Sequence, residues 1–267
     1  MVVDRTGVLY AFGSDKHGQL GLGPRDGSDG DPRDAMGCVI TPTAIGPPLD
    51  AGDLNVWAVV ACGESHTAAL TTSGSAYTWG NAEDGRLGVG SSSSAIVSEP
   101  RLLDLGPHAA VMVDCGNDFT AIVDSDGGLW GCGANWNAQL GLDPNVDEYS
   151  IPTRLLSHVD EGIESVACGA QHMGAIDQLG RLWVWGGGIF GDQPAIVPLD
   201  DLCVLVSCGG GLTVAVTDEG KAFTWGDGTG GKLGLGDGGK AHDTPQPMPT
   251  LSTPNVRILC VACGKGA

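Results

Sequence analysis

Cys62-Gly63-Glu64-Ser65-His66-Thr67-Ala68-Ala69-Leu70, continued through Trp79-Gly80 to Leu87-Gly88, is the unit from which the chain is built. A short apolar segment ends in Cys-Gly, a second ends in Trp-Gly, and a Leu-Gly turn follows. The pattern returns at Cys115-Gly116, Trp130-Gly131 and Leu140-Gly141, at Cys168-Gly169 and Trp185-Gly186, and at Cys208-Gly209, Trp225-Gly226 and Leu233-Gly234. Cys and Trp are separated by 17, 15, 17 and 17 residues in the four copies. Self-similarity at roughly 40–55 residues marks a repeat architecture and outranks local propensity.

The ends carry parts of one further unit. Thr6 to Gly13 matches the second segment, with Phe12 in the Trp position, and Gln19-Leu20-Gly21 matches the turn. Val261-Ala262-Cys263-Gly264 matches the first segment. Joined head to tail, Cys263 and Phe12 would be 16 residues apart, inside the range of the complete copies. Pairing of the N- and C-terminal strands would close the array and remove its open sheet edges.

Within a unit, Val56–Cys62, Thr67–Thr71 and Ala76–Trp79 read as short strands. Ser73-Gly74, Asp126-Gly127-Gly128, Leu179-Gly180 and Glu219-Gly220 supply the positive φ of tight hairpins. No window carries a helical stripe. The expected fold is all-β: a β-propeller of about five four-stranded blades, residues 1–267 forming a single domain. Two alternatives stay open, a complete five-membered ring and a piece of a seven-bladed one. Pro24 to Asp53 and Gly236 to Pro254 read as irregular surface connections.

Forty-five glycines in 267 residues with 42% apolar residues indicate many tight turns between buried strands. A net charge of −19 opposes direct contact with nucleic-acid phosphates or an anionic membrane surface and favours a basic partner. Met1-Val2-Val3-Asp4-Arg5 lacks a signal peptide's basic head and apolar run, and no segment approaches ~20 apolar residues, so an intracellular protein, cytoplasmic or nuclear, is expected. Five cysteines share one repeat position, which reads as a small buried residue in each blade. Cys260-Val261-Ala262-Cys263 lies on an expected strand, where residues three apart face opposite ways, and no second pair supports zinc or redox use.

The full pattern, clearest over Val59 to Gly90, resembles the repeats of the regulator of chromosome condensation family. Trp-Asp propellers would carry Asp where this chain carries Gly after Trp. The resemblance implies a β-propeller and a protein partner. The family's founding member is a guanine-nucleotide exchange factor for a small GTPase, acting through acidic and histidine side chains on the turn after Cys-Gly. Carried over, this implies Glu64, Asp118 and His172. Against it, Asp, Glu and Asn are ordinary turn residues, the repeated His-Thr reads as a tie to a neighbouring blade, and the founding member's basic tail has no counterpart here. The family's ultraviolet-B photoreceptor carries Trp after the Gly, where this chain has Glu64, Asn117, Ala170 and Gly210.

In each antiparallel blade the first turn and the loop after the third strand emerge at the same end. Loops on a rigid scaffold are where binding residues collect. The candidate partner-binding residues are Glu64, Asn117, Asp118, Gln171 and His172 from first turns, and Asp84, Arg86 and Trp136 from the later loops. Trp136, in a polar Asn-Trp-Asn loop, has two readings: interface anchor or partial burial between blades. No nucleophile elbow, P-loop or zinc-ligand spacing is present. The expectation is a non-catalytic protein-interaction scaffold without cofactor or metal, with exchange on a small GTPase as the alternative.

Overall fold

The computed structural model describes residues 1–25, 28, 30–47, 56–90, 95–248, 251 and 258–264. Five antiparallel sheets follow one another along the chain. The first holds β1 (Val2–Val3), β2 (Leu9–Ser14) and β3 (Cys38–Ile45). The second holds β4 (Trp57–Cys62), β5 (His66–Thr71), β6 (Ala76–Asn81) and β7 (Ile96–Leu102). The third holds β8 (Ala110–Cys115), β9 (Phe119–Asp124), β10 (Leu129–Ala134) and β11 (Glu148–Leu155). The fourth holds β12 (Ile163–Cys168), β13 (His172–Asp177), β14 (Leu182–Gly186) and β15 (Ala195–Ile196). The fifth holds β16 (Cys203–Cys208), β17 (Leu212–Thr217), β18 (Ala222–Gly226) and β19 (His242–Pro247). Among the described residues no helix is long and apolar enough to cross a membrane.

The chain divides into two compact units. One comprises residues 1–126, 130–134 and 148–153, the other residues 127–129, 135–147 and 154–267. In the first, Leu9, Ala11, Trp57, Tyr77 and Trp79 form a core between the first and second sheets. Leu70, Ala110, Val113, Cys115 and Ile122 form another between the second and third. In the second unit, Ile176, Leu182, Val184, Ala215 and Trp225 fill the space between the fourth and fifth sheets. Within each unit, successive sheets thus bury faces against one another, as stacked repeats do.

The two recurrent glycines have separate causes. The one after Cys is forced by close approach: a Cβ at Gly63, Gly116 or Gly169 would collide with the ring of His66, Phe119 or His172, folded back over the turn. The one after Trp is forced by backbone conformation. Gly80 has φ +114°, at a register shift between Thr78 and Gly80, and a Cβ there would lie 2.6 Å from the Ser65 carbonyl oxygen. Only glycine takes such a conformation without strain at a bulge.

That second glycine corrects the reading of the third copy. Gly133, not Gly131, has φ +114°. Cys132-Gly133 is therefore the equivalent of Trp79-Gly80, and it restores the 17-residue separation from Cys115. Trp130 stands two residues earlier, where the fourth sheet has Trp183.

Two further expectations are corrected. The stretch Pro24 to Asp53 contains β3, and Gly236 to Pro254 contains β19. Both are outermost strands, which tolerate proline because their outward N–H groups need no partner; Pro42, Pro100, Pro152 and Pro245 all lie in such strands. Among the described residues the first sheet has three strands. Residues 256 and 257 of the expected terminal strand lie outside the described residues, and 258–264 are not in a strand. Cys263 nevertheless sits where a following sheet's first strand sits. Gly210 donates to the Gly264 carbonyl at 3.1 Å, as Ala170 donates to Gly209 at 3.0 Å and Glu64 to Asn117 at 3.3 Å.

The shared cysteine position is not uniformly buried. Cys115, Cys168 and Cys208 are buried, Cys263 is half-buried, and Cys62 is exposed. β8 packs on β4 and β5, which covers Cys115. In the corresponding place β4 meets the two-residue β1. Native-state alkylation read by mass spectrometry is expected to label Cys62 and Cys260 at once and Cys115, Cys132, Cys168, Cys203 and Cys208 only on unfolding. Protection of Cys62 to the level of Cys115 would contradict this account.

Candidate functional site

Sheets are tied through the residue that precedes three of the Leu-Gly turns, Leu20-Gly21, Leu87-Gly88 and Leu140-Gly141. The Gln19 carbonyl accepts the Trp79 indole N–H at 2.9 Å and the Thr67 hydroxyl at 2.8 Å. The Gln139 carbonyl accepts the Trp185 indole N–H at 3.0 Å. The Arg86 carbonyl accepts the Thr120 hydroxyl at 2.8 Å and, with cysteine in the Trp position, the Cys132 thiol at 3.6 Å. Burial pushes that thiol up to about 12, so it remains protonated and able to donate. A second tie joins histidine to the hydroxyl of the next sheet: His66 Nε2 lies 3.0 Å from Thr120 Oγ1, and His172 Nε2 lies 2.9 Å from Thr213 Oγ1. In the fourth copy, which lacks a Leu-Gly turn, Phe190 stacks on His172 at 4.2 Å between ring centroids.

On this rigid base the first unit gathers an acidic patch. Arg86 is only 4% exposed. Its guanidinium donates to Asp118 Oδ1 at 2.7 Å, Asp84 Oδ2 at 2.5 Å, Ser65 Oγ at 2.9 Å and the Glu83 carbonyl at 2.8 Å. Asp84 has φ 56°, and the same short turn, Glu83–Gly85, holds Glu83, whose carboxylate accepts from Asn81 at 3.1 Å. The exposed Glu64 lies on the turn bonded to Asn117, beside Asp118. The structure thus brings together Glu64, Asp84, Arg86, Asn117 and Asp118. Arg86 lies beneath the carboxylates and fixes them; it does not reach solvent.

The second unit carries the remaining candidates. Trp136 is 46% exposed. The buried Asn135 donates through Nδ2 to the carbonyls of Asp143 and Val146, both at 3.0 Å, and accepts from the Leu140 N–H at 3.2 Å. Asn137 N–H donates to the Gln139 side chain at 2.8 Å. Both neighbours of Trp136 are therefore held by the loop. Gln171 is exposed, whereas His172 is only 1% exposed and points inward. Burial lowers its pKa to about 4, partly offset by a hydrogen bond with the Leu212 backbone. Nearby in this unit, Lys232 Nζ pairs with Asp227 at 2.7 Å, and this bond is the main reason the Asp227 carboxyl falls to about 2.

Among known proteins, the RCC1-like domain matches residues 1–267. Human E3 ubiquitin-protein ligase HERC2 is 33% identical over 223 residues, covering 77% of this chain and 4% of its own length. The zebrafish protein RCC2 homolog is 27% identical over 305 residues, covering the whole chain and 56% of its own. The Arabidopsis ultraviolet-B receptor UVR8 is 28% identical over 217 residues, covering 77% of the chain and 48% of its own. The chain therefore spans little more than half of these relatives at most. Among solved structures, human WBSCR16 superposes with a TM-score of 0.82 at 26% identity, covering 98% of this chain and 66% of that one. Yeast Prp20p, whose structure was described with its binding to Gsp1p and histones, gives 0.57 at 19% identity over 98% and 77%. With carbonyl ties at Gln19, Arg86 and Gln139 joining successive sheets and the domain match running from end to end, the chain belongs to the RCC1-like domain family of β-propellers.

Proposed function

We propose that this chain is a non-catalytic, intracellular interaction scaffold that binds a basic protein partner through its loop-bearing rim. The observation that carries this reading is the Arg86-anchored patch. One buried guanidinium holds Asp84 and Asp118 in fixed geometry, Glu83 shares the turn of Asp84, and Glu64 lies on the turn bonded to Asn117. Carboxylates fixed before binding lose little freedom on association, so more of the contact energy is kept. The net charge of −19 adds long-range attraction for a cationic surface. Trp136 and Gln171 are the exposed candidates of the second unit, and Trp136 has the size and exposure of an interface anchor.

Cross-linking capture from the native cell, read by mass spectrometry, is expected to return a basic partner whose recovery falls as salt rises. Glu64→Gln with Asp84→Asn should weaken recovery about tenfold or more, and Trp136→Ala should weaken it without lowering thermal stability. Unchanged capture by both variants would refute the assignment of the rim. Exchange on a small GTPase is the second reading, supported by Glu64 and Asp118 on the turns after Cys-Gly. His172 contributes nothing to it while buried against Phe190 and Thr213. Nucleotide release that stays flat across a GTPase panel would remove the exchange reading and leave the scaffold intact.

A further inference from the structure

We propose that His108, Asp124 and Asp126, at the hairpin end of the third sheet and away from the rim loops, bind a divalent transition ion of the zinc type. Asp124 ends β9, Asp126 lies in the hairpin that follows, and His108 precedes β8. His108 Nδ1 is 3.1 Å from Asp126 Oδ2 and 3.7 Å from Asp124 Oδ2, and the three donor atoms lie within 4.8 Å of one another. Ligands placed about 2.0–2.2 Å from a tetrahedral ion are roughly 3.3–3.6 Å apart, so this set closes on an ion with small side-chain movements. One imidazole with two carboxylates suits zinc better than the all-oxygen shells of calcium or magnesium. The buried carboxylate is oriented from outside the set: Trp130 Nε1–H donates to Asp124 Oδ2 at 2.7 Å, and Asp126 N–H donates to Oδ1 at 2.9 Å. Such outer partners fix metal-ligating groups. Asp126 is 70% exposed and His108 29%, which leaves a path for entry and positions for water.

The repeat supplies an independent observation that this corner of a sheet takes a cation. His108, Glu161 and Asp201 each stand 16 residues before Asp124, Asp177 and Thr217. In the fourth sheet Arg181 fills the corner, its Nε 2.6 Å from Asp177 Oδ2 and its Nη2 2.8 Å from Glu161 Oε2. The Trp183 indole bonds the same carboxylate at 2.9 Å, as Trp130 bonds Asp124. In the fifth sheet Lys221, at the same repeat position as Arg181, lies 2.6 Å from Asp201. The third sheet has Gly128 at that position. The acidic corner is retained and enlarged by Asp126, residue 128 brings no guanidinium or ammonium to it, and His108 turns its Nδ1 toward the two carboxylates. A bound dication takes the role that Arg181 plays next door.

Calorimetric titration of the whole chelator-treated chain with Zn2+ at pH 7.5 tests this, alongside His108→Ala, Asp126→Asn and a Cys62→Ser/Cys260→Ser double variant. The expected result is one equivalent bound by the wild-type protein, at least tenfold weaker in each of the first two variants and unchanged in the third. Asp126→Asn alters an exposed side chain and carries the test should His108→Ala fold poorly, with circular dichroism as the check. Absence of one-equivalent binding, binding indifferent to His108→Ala and Asp126→Asn, or binding removed by the thiol variant would each overturn the proposal.

Discussion

Trp79→Ala is expected to destabilise the protein by about 3–5 kcal/mol, the usual cost of deleting a large buried aromatic side chain. Trp79 is fully buried, packs at 5.8 Å from Trp57, and donates its indole N–H across the boundary between the first two sheets to Gln19. Two contributions are combined there. Trp79→Phe separates them, because it keeps most of the volume and strips the Gln19 carbonyl of the indole donor, at an expected cost of about 1–3 kcal/mol. Chemical denaturation of both variants measures the split. A phenylalanine variant as unstable as the alanine one would mean that the hydrogen bond, not packing, holds the boundary. An alanine variant with unchanged stability would contradict the description of the core.

The second large effect is a dependence on pH. Burial holds His172 neutral, lowering its pKa from 6.5 to about 4. The unfolded chain takes up a proton near pH 6.5, and the folded protein refuses it until about pH 4. The contribution to stability is therefore complete above pH 6.5 and is lost as pH falls toward 4. At about 1.4 kcal/mol per unit, the loss is about 3 kcal/mol. The repeat itself supplies the control: Phe119 and Leu212 occupy the equivalent position in the third and fifth sheets. His172→Leu should lose part of its stability at pH 7 with the Thr213 bond, and its further decline between pH 6.5 and 4 should be smaller than the wild type's by about 3 kcal/mol. Parallel declines in the two proteins would show that His172 is not the group responsible.

Much of this architecture is written plainly in the chain, and the exceptions have physical causes. Cys-Gly and Trp-Gly could be read because steric exclusion at Gly63 and a positive φ at Gly80 admit no other residue. The third copy reads two positions out of register because its latch is made by Cys132, while an unrelated tryptophan, bonded to Asp124, stands close enough to imitate the motif. β3 and β19 escaped because an outermost strand buries little and can carry proline, so its sequence resembles a loop. Arg86 shows the limit for the candidate site. In sequence it is a charged residue in a polar loop, and only the convergence of Ser65 and Asp118 from distant segments on Arg86 and its neighbour Asp84 reveals it as a buried anchor. His108, Asp124 and Asp126 were invisible for a similar reason: hairpin geometry, not a ligand spacing, brings them together.

The latches at Gln19, Arg86 and Gln139 all end on a peptide oxygen. A main-chain atom is present whatever amino acid the codon specifies. Mutation can therefore rewrite the outward chemistry of these loops while the joints between sheets keep their strength, so divergence in client choice is decoupled from divergence in architecture. A family assembled this way can acquire new clients by drift at the rim alone, without a compensating change in its interior.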